Sequence, residues 1–147
     1  MSAESVLLVE DSADDRFFFE RAYRKSNFGL PLLIATDGAE AVARFSAGSD
    51  DPPALVLLDL KLPKLGGHEV LEAIRKADPS RRTVVLCFTG SQEPSDRRRA
   101  YEGGANGYLL KPASVEEIER LLQGIKDFWF GQNVTPRSAL LRRPDGR

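Results

Sequence analysis

Three acids, one hydroxyl and one lysine each follow a short apolar run. Glu10 and Asp11 come after Val6 to Val9, Asp59 after Ala54 to Leu58, Thr89 after Val84 to Phe88, and Lys111 after Tyr108 to Leu110. Three carboxylates gathered in one place repel by about 4 kcal/mol per pair at 4 Å and an effective dielectric near 20, so they need a cation. The pattern offers only oxygen ligands, with no histidine or cysteine in it, and that favours a hard divalent ion such as Mg²⁺ over zinc. With such an ion and Lys111 in place the formal charge sums to zero. A balanced site of this kind suits phosphoryl acceptance: a carboxylate is an adequate nucleophile toward phosphorus, and metal and lysine neutralise the transferred oxygens. Asp59 stands alone and is the nucleophile candidate. Glu10 and Asp11 are adjacent and suited to holding metal, Thr89 to donating its hydroxyl to a phosphoryl oxygen, and Lys111 to pairing with the phosphoryl group as a point charge.

The elements that must bring these residues together are legible in the apolar pattern. Ala54 to Leu58 shows no alternation, the habit of a parallel strand buried on both faces, and Val6 to Val9 repeats it. Further strands are expected over Leu32 to Thr36, Thr83 to Phe88 and Asn106 to Leu110. Helices follow each: from Ser12 through Lys25, from the Asp37/Glu40 capping spacing through Phe45, from Gly67 to the Asp78-Pro79 stop, over Pro94 to Glu102, and from the Ser114/Glu117 spacing to Trp129. Strands and helices alternating five times predict a doubly wound, five-stranded parallel α/β sheet in a three-layer sandwich. In such a sheet ligands bind at the carboxyl ends of the strands, so residues tens of positions apart share one rim. Pro94 to Glu102 offers only Ala100 and Tyr101 as apolar anchors and reads as a weakly held helix. Phe17, Phe18 and Phe19 cannot share one inward face, so at least one is expected to lean outward.

The chain has 147 residues, a formal net charge of -1 and 29% charged residues. That length suits one domain, and the balanced charge offers no field for nucleic acid. One cysteine forms no internal disulfide framework, no apolar stretch is long enough to span a bilayer, and the first residues lack a charged, apolar leader, so a cytosolic protein is expected. We divide the chain into a domain over residues 1–131 and a tail over 132–147, whose Pro, Gly and Arg content predicts a mobile or partner-contacting segment. His68 and Cys87 read as loop and buried-strand residues rather than catalysts.

The acidic pair Glu10-Asp11, the segment Asp59-Leu-Lys-Leu-Pro63 with Gly67 eight residues after the aspartate, Thr89, and Tyr108-Leu-Leu-Lys111-Pro112 resemble the receiver domain of two-component response regulators over Ser5 to Phe130. The Val-Glu-Asp opening, Gly-Ala-Asn-Gly-Tyr and the terminal Asp-Phe-Trp-Phe look most like the small regulators that serve bacterial phytochromes. The resemblance implies a flavodoxin-like fold and a phosphoacceptor signalling domain that catalyses only its own phosphorylation and dephosphorylation. Its donor would be a sensor histidine kinase, of bacteriophytochrome type. The same resemblance implies Asp59 as phosphoacceptor, Mg²⁺ on Glu10, Asp11, Asp59 and the backbone carbonyl of Lys61, Lys111 against the phosphoryl group, and Thr89 with Tyr108 as the switch pair. The family often has two aspartates where this chain has Glu10-Asp11, and Lys61, two residues past the acceptor, has an ammonium that can fold toward the phosphoryl group or away from it. Phe128 and Phe130 suggest a homodimer through the last helix, against the simpler reading that they cover the sheet within one subunit. Competing functions are a dimeric structural or interaction module without phosphotransfer, and an aspartyl-nucleophile phosphatase of the haloacid-dehalogenase type, which wants a second aspartate where Lys61 stands. A nucleotide-binding module is disfavoured because Glu10, Asp11, Asp14 and Asp15 would repel phosphates.

Overall fold

Five parallel strands form one sheet in the order β2-β1-β3-β4-β5, where β1 is Val6–Val9, β2 Leu32–Ala35, β3 Leu55–Leu58, β4 Val84–Thr89 and β5 Gly107–Leu110. The computed structural model describes residues 4–45, 52–78 and 82–132. Helices α1 (Ala13–Ser26), α2 (Gly38–Ala43), α3 (Gly67–Ala77), α4 (Pro94–Glu102) and α5 (Val115–Asp127) alternate with the strands, and a π-helical turn, Phe128–Gln132, follows α5. This is the doubly wound, flavodoxin-like arrangement expected, with the strand order reversing between β1 and β3.

Successive side chains of a strand point to opposite faces, and here both faces are covered. Leu7, Val9, Val56, Leu58 and Val85 pack with Val70, Leu71 and Ile74 of α3 in one layer. Val6, Leu8, Leu55, Leu57 and Leu86 pack with Phe19 of α1 and Ile118, Leu122 and Ile125 of α5 in the other. That double burial is why the strands carry no polar alternation. Each such aliphatic side chain contributes about 1.5–3 kcal/mol.

Helix starts match their spacing, with one change of detail. Ser12 accepts from the Asp15 N–H at 3.2 Å, Asp37 from the Glu40 N–H at 2.8 Å, and Ser114 from the Glu117 N–H at 3.1 Å. The return half of the two expected capping boxes, Asp37/Glu40 and Ser114/Glu117, goes elsewhere. Glu40 accepts from the Thr36 N–H, and Glu117 from the Ser114 hydroxyl, so the glutamates secure the chain entering the helix rather than the cap's own amide. Helix α2 ends two residues before Phe45, and Trp129 belongs to the π-helical turn rather than to α5. Phe19 is buried in α1 while Phe17 and Phe18 are exposed, so two of the three aromatics lean outward. Phe130 stacks edge-on against Phe28 and packs on the core, as the simpler reading had it; Phe128 alone is exposed.

Arg75 was not singled out in the sequence and proves to be a structural brace. Its buried guanidinium donates to the carbonyls of Gly104 and Thr83 and to Asn106 Oδ1, and Asn106 Oδ1 also accepts from the Val85 N–H. It ties α3 to the starts of β4 and β5 and so fixes where their other ends emerge. Residue Pro79, residues 46–51 of the loop before β3 and residues 133–147 of the tail lie outside the described residues. Among the described residues no helix is long and apolar enough to cross a membrane.

Candidate functional site

The sheet delivers the predicted residues to one rim through its register. Val9 pairs with Leu58 and Thr89 with Leu110, so the next residue on each strand falls at the same level. The backbone ladder then runs one step further: the Glu10 N–H donates to Ala35, the Asp59 N–H to Val9 and the Lys111 N–H to Thr89, at 3.0, 3.1 and 2.9 Å. The carboxylates and the lysine are therefore anchored by sheet hydrogen bonds rather than carried on free loops. Gly67 keeps α3 close behind them. A Cβ there would overlap the Asp59 carbonyl oxygen and lie 2.5 Å from Leu60 Cα, so only glycine lets the helix start so near the acid.

Lys111 Nζ is the centre of the cluster, 2.6 Å from Glu10 Oε1, 3.1 Å from Asp59 Oδ2 and 3.0 Å from Asp15 Oδ2. The other Asp59 oxygen accepts from the Lys61 N–H at 3.1 Å. Glu10 and Asp59 are nearly inaccessible. Burial pushes the Glu10 carboxyl up to about 7; Asp59 adds to the rise while Lys111 and the Ser12 N–H oppose it. Burial would lower the pKa of Lys111, but its hydrogen bonds to Glu10 and Asp15 and the charge of Asp59 outweigh that and hold the amine above its ordinary value. The pocket thus carries one fixed positive charge, Lys111, against three carboxylates in contact with it. Oxygens of Glu10, Asp11 and Asp59 lie within 4.8 Å of one another, with Asp11 exposed at the mouth. Three hard donors with one open side fit a divalent ion such as Mg²⁺.

Thr89 is buried, and its Oγ1 accepts from the Ser91 N–H at 3.2 Å. The half-buried Tyr108 donates its hydroxyl to the Ser91 carbonyl at 3.0 Å. Lys61 turns its ammonium away from the cluster to Asp96 Oδ2, 3.4 Å off, at the start of α4. Sequence reasoning missed Asp15 as a Lys111 partner, counting it among the acids that would repel phosphates. It also missed Ser91 and Asp96, and His68, expected on a loop, lies in the first turn of α3; the three form a polar chain beside Thr89. The signal for Asp15 was its place one helical turn beyond the acidic pair; nothing in the pattern pointed to the other three.

Residues 6–123 match the family described as the response regulator receiver domain. The chain belongs to that family. The receiver is 37% identical over 137 residues to "Probable methanogenesis regulatory protein FilR2" of Methanothrix harundinacea, covering 91% of this chain and 88% of that protein. Against response regulator Rcp1 of Synechocystis it is 34% identical over 135 residues, covering 89% and 92%. Among solved structures, the phosphorylated cyanobacterial phytochrome response regulator RcpA superposes with a TM-score of 0.80 at 29% identity, covering 92% of this receiver and 99% of that chain. The Mn²⁺-bound form of Rcp1 superposes at 0.76 with 34% identity, covering 90% and 99%.

Cys87 lies on the inner strand β4, fully buried, and burial with the nearby Asp59 charge pushes its thiol up to about 12. A raised pKa favours the neutral form below that value, so at pH 8 the thiolate is on the order of one part in 10⁴. We expect a thiol-disulfide reagent at pH 8 to leave the folded receiver unmodified and to react fully once urea unfolds it. Rapid modification of the native protein would contradict the burial.

Proposed function

We propose that this receiver accepts a phosphoryl group on Asp59 from a sensor histidine kinase of phytochrome type and signals by a change of conformation. The observation that carries the reading is Lys111, whose ammonium bridges Glu10, Asp15 and Asp59 where a phosphoryl oxygen would need a positive charge. An Asp59 carboxylate oxygen attacks phosphorus, the bond to the imidazole nitrogen of the donor breaks, and the imidazole leaves with that electron pair. The product is an acyl phosphate. Lys111 then trades a carboxylate for a phosphoryl oxygen, and Thr89 gives up the Ser91 N–H to donate its hydroxyl to another. Mg²⁺, held by Glu10, Asp11, Asp59 and the carbonyl of Lys61, supplies neutralising charge when bound. Hydrolysis of the acyl phosphate returns the starting state. The receiver turns over no external substrate in this reading, and it acts in the cytoplasm, where ATP supplies its kinase.

Helix α4 suits the output. Among its residues Ala100 is buried while Arg97, Arg98, Arg99 and Tyr101 are exposed, so little packing energy resists its movement. Movement of Thr89 toward the phosphoryl group with Tyr108 turning behind it shifts the population of α4 positions. Phytochrome pairing rests on the likeness to Rcp1 and RcpA, and the receiver domain is taken to end at residue 131. The deciding experiment is uptake of one phosphoryl group from acetyl phosphate with Mg²⁺, read by intact mass and removed by chelation. No uptake under any divalent ion favours the structural module instead.

The same proposal includes a homodimer, with the exposed Phe128 at the end of α5 as its apolar contact and Phe130 excluded because it serves its own core. Sedimentation at micromolar concentration should give a dimer for the wild type and a monomer for Phe128→Asp. A monomeric wild type would dismiss it.

A further inference from the structure

The three carboxylates on Lys111 Nζ come from two kinds of place. Glu10 and Asp59 stand just past β1 and β3 with almost no accessible side-chain surface, while Asp15 rides on the first turn of α1 with its side chain 46% exposed. Both oxygens of each buried acid are engaged. Glu10 Oε1 meets Lys111 and Oε2 the Ser12 N–H; Asp59 Oδ2 meets Lys111 and Oδ1 the Lys61 N–H. These two acids, with Asp11, are also the ones whose oxygens fit a divalent ion, and Asp15 is not in that group. Its place is set by the rim itself. Ser12 caps α1 by accepting from the Asp15 N–H at 3.2 Å, and Arg16 Nη1 donates to the Glu10 carbonyl at 2.9 Å. The carboxylate that shares Lys111 with Glu10 is thus fastened to Glu10 through the turn between them.

We propose that Asp15 is a positioning residue: it keeps the Lys111 ammonium when Glu10 and Asp59 are needed for a divalent ion. Lys111 has only 20% of its side chain exposed, and a cation so placed is strongly destabilised when its anions leave it. Drawing Glu10 Oε1 and Asp59 Oδ2 away therefore costs less while a third carboxylate stays in contact. Asp15 is that carboxylate, 3.0 Å from Nζ on the open side of the cluster. Neither ion binding nor attack on phosphorus uses it, so it holds the amine at the rim through both, where a phosphoryl oxygen later meets it. Asp14 offers a natural comparison, being the preceding residue, exposed, of the same charge and not one of the three carboxylates on Lys111. This inference deepens the phosphoacceptor reading and rests on it.

The test is calorimetric titration of the full chain with Mg²⁺. Asp15→Asn should bind the ion about tenfold more weakly than the wild type, the low end of what losing a group that supports a metal site costs, and Asp15→Glu should recover most of the loss. Asp14→Asn removes the same charge from an exposed position, where salt screens it, and should cost about twofold or less. Lys111→Met separates positioning from plain charge. With no amine to hold, Asp15→Asn in that background should cost no more than Asp14→Asn does; the comparison within the native chain decides by itself if the background does not fold. Equal losses for Asp15→Asn and Asp14→Asn, or an Asp15→Asn loss that persists undiminished without Lys111, overturn the positioning role and leave the phosphoacceptor reading intact. A wild type that binds no divalent ion overturns that reading and this role with it.

Discussion

Asp59→Asn should take up no phosphoryl group from either a kinase or a small donor, a loss of at least about 10³-fold in rate, while folding as the wild type does. The carboxamide is nearly the same size and its oxygen is neutral, so nucleophilicity toward phosphorus disappears without a cavity. The Asp59 N–H still donates to Val9, while the single amide oxygen keeps either the Lys61 N–H or the Lys111 ammonium as its donor and gives up the other. Stability should hold or rise slightly, because one of two nearly inaccessible acids beside Lys111 becomes neutral and its repulsion with Glu10 ends. Intact mass after incubation with acetyl phosphate and Mg²⁺, alongside urea melts, reads both parts. Stoichiometric labelling of the variant would move the acceptor to another residue, and an unfolded variant would make Asp59 a structural group instead.

Lys111→Met should show the second large effect, this time on stability. The substitution keeps the length of the side chain but removes the charge shared by Glu10, Asp15 and Asp59, and breaking a buried charged cluster in this way costs about 3–5 kcal/mol. Divalent ion should return part of that loss, about 2.7 kcal/mol at a hundredfold excess over its dissociation constant. The sign of the pH dependence follows from Glu10. Its carboxyl is raised from 4.5 to about 7 in the folded protein, so the folded state holds the proton more tightly than the unfolded one. The associated stabilisation is fully present below about 4.5 and is lost as pH rises to about 7. Without Lys111 to oppose it the rise is larger, so the variant should be much weaker than the wild type at pH 8 and closer to it at pH 5. Melts of both proteins at the two pH values, with and without Mg²⁺, measure this. Equal stability at pH 8 without metal would mean that Lys111 is solvated and the cluster is looser than its distances indicate.

What could be read from the chain and what could not divides along a physical line. Val6 to Val9 and Leu55 to Leu58 announce themselves because a strand covered on both faces has no polar option, and the acids that end them are conspicuous for the same reason. Ser12, Asp37 and Ser114 are legible because a cap acts within three residues of itself. Arg75 and Asp96 are different. In the sequence each is one more charge on a short amphipathic helix, and its meaning depends on partners from 5 to 35 residues away that only the packed sheet brings near. The direction of the Lys61 ammonium was undetermined for that reason, since its partner sits on a helix that no local pattern places beside it. Phe128 and Phe130, two residues apart, looked alike and part company because the π-helical turn carries one toward Phe28 and leaves the other outside.

One consequence of the sheet register reaches past signalling. Glu10, Asp59 and Lys111 each stand a single step beyond a paired residue, and the same register decides which strand side chains face which helices. Losing one residue inside β3 would therefore exchange its two faces and draw Asp59 back into the strand in the same event. Lengthening the chain after that rim disturbs neither. Descendants of this sequence are free to vary in loop length and barred from slipping within a strand, so insertions and deletions should be found where the chain turns and almost never where it pairs.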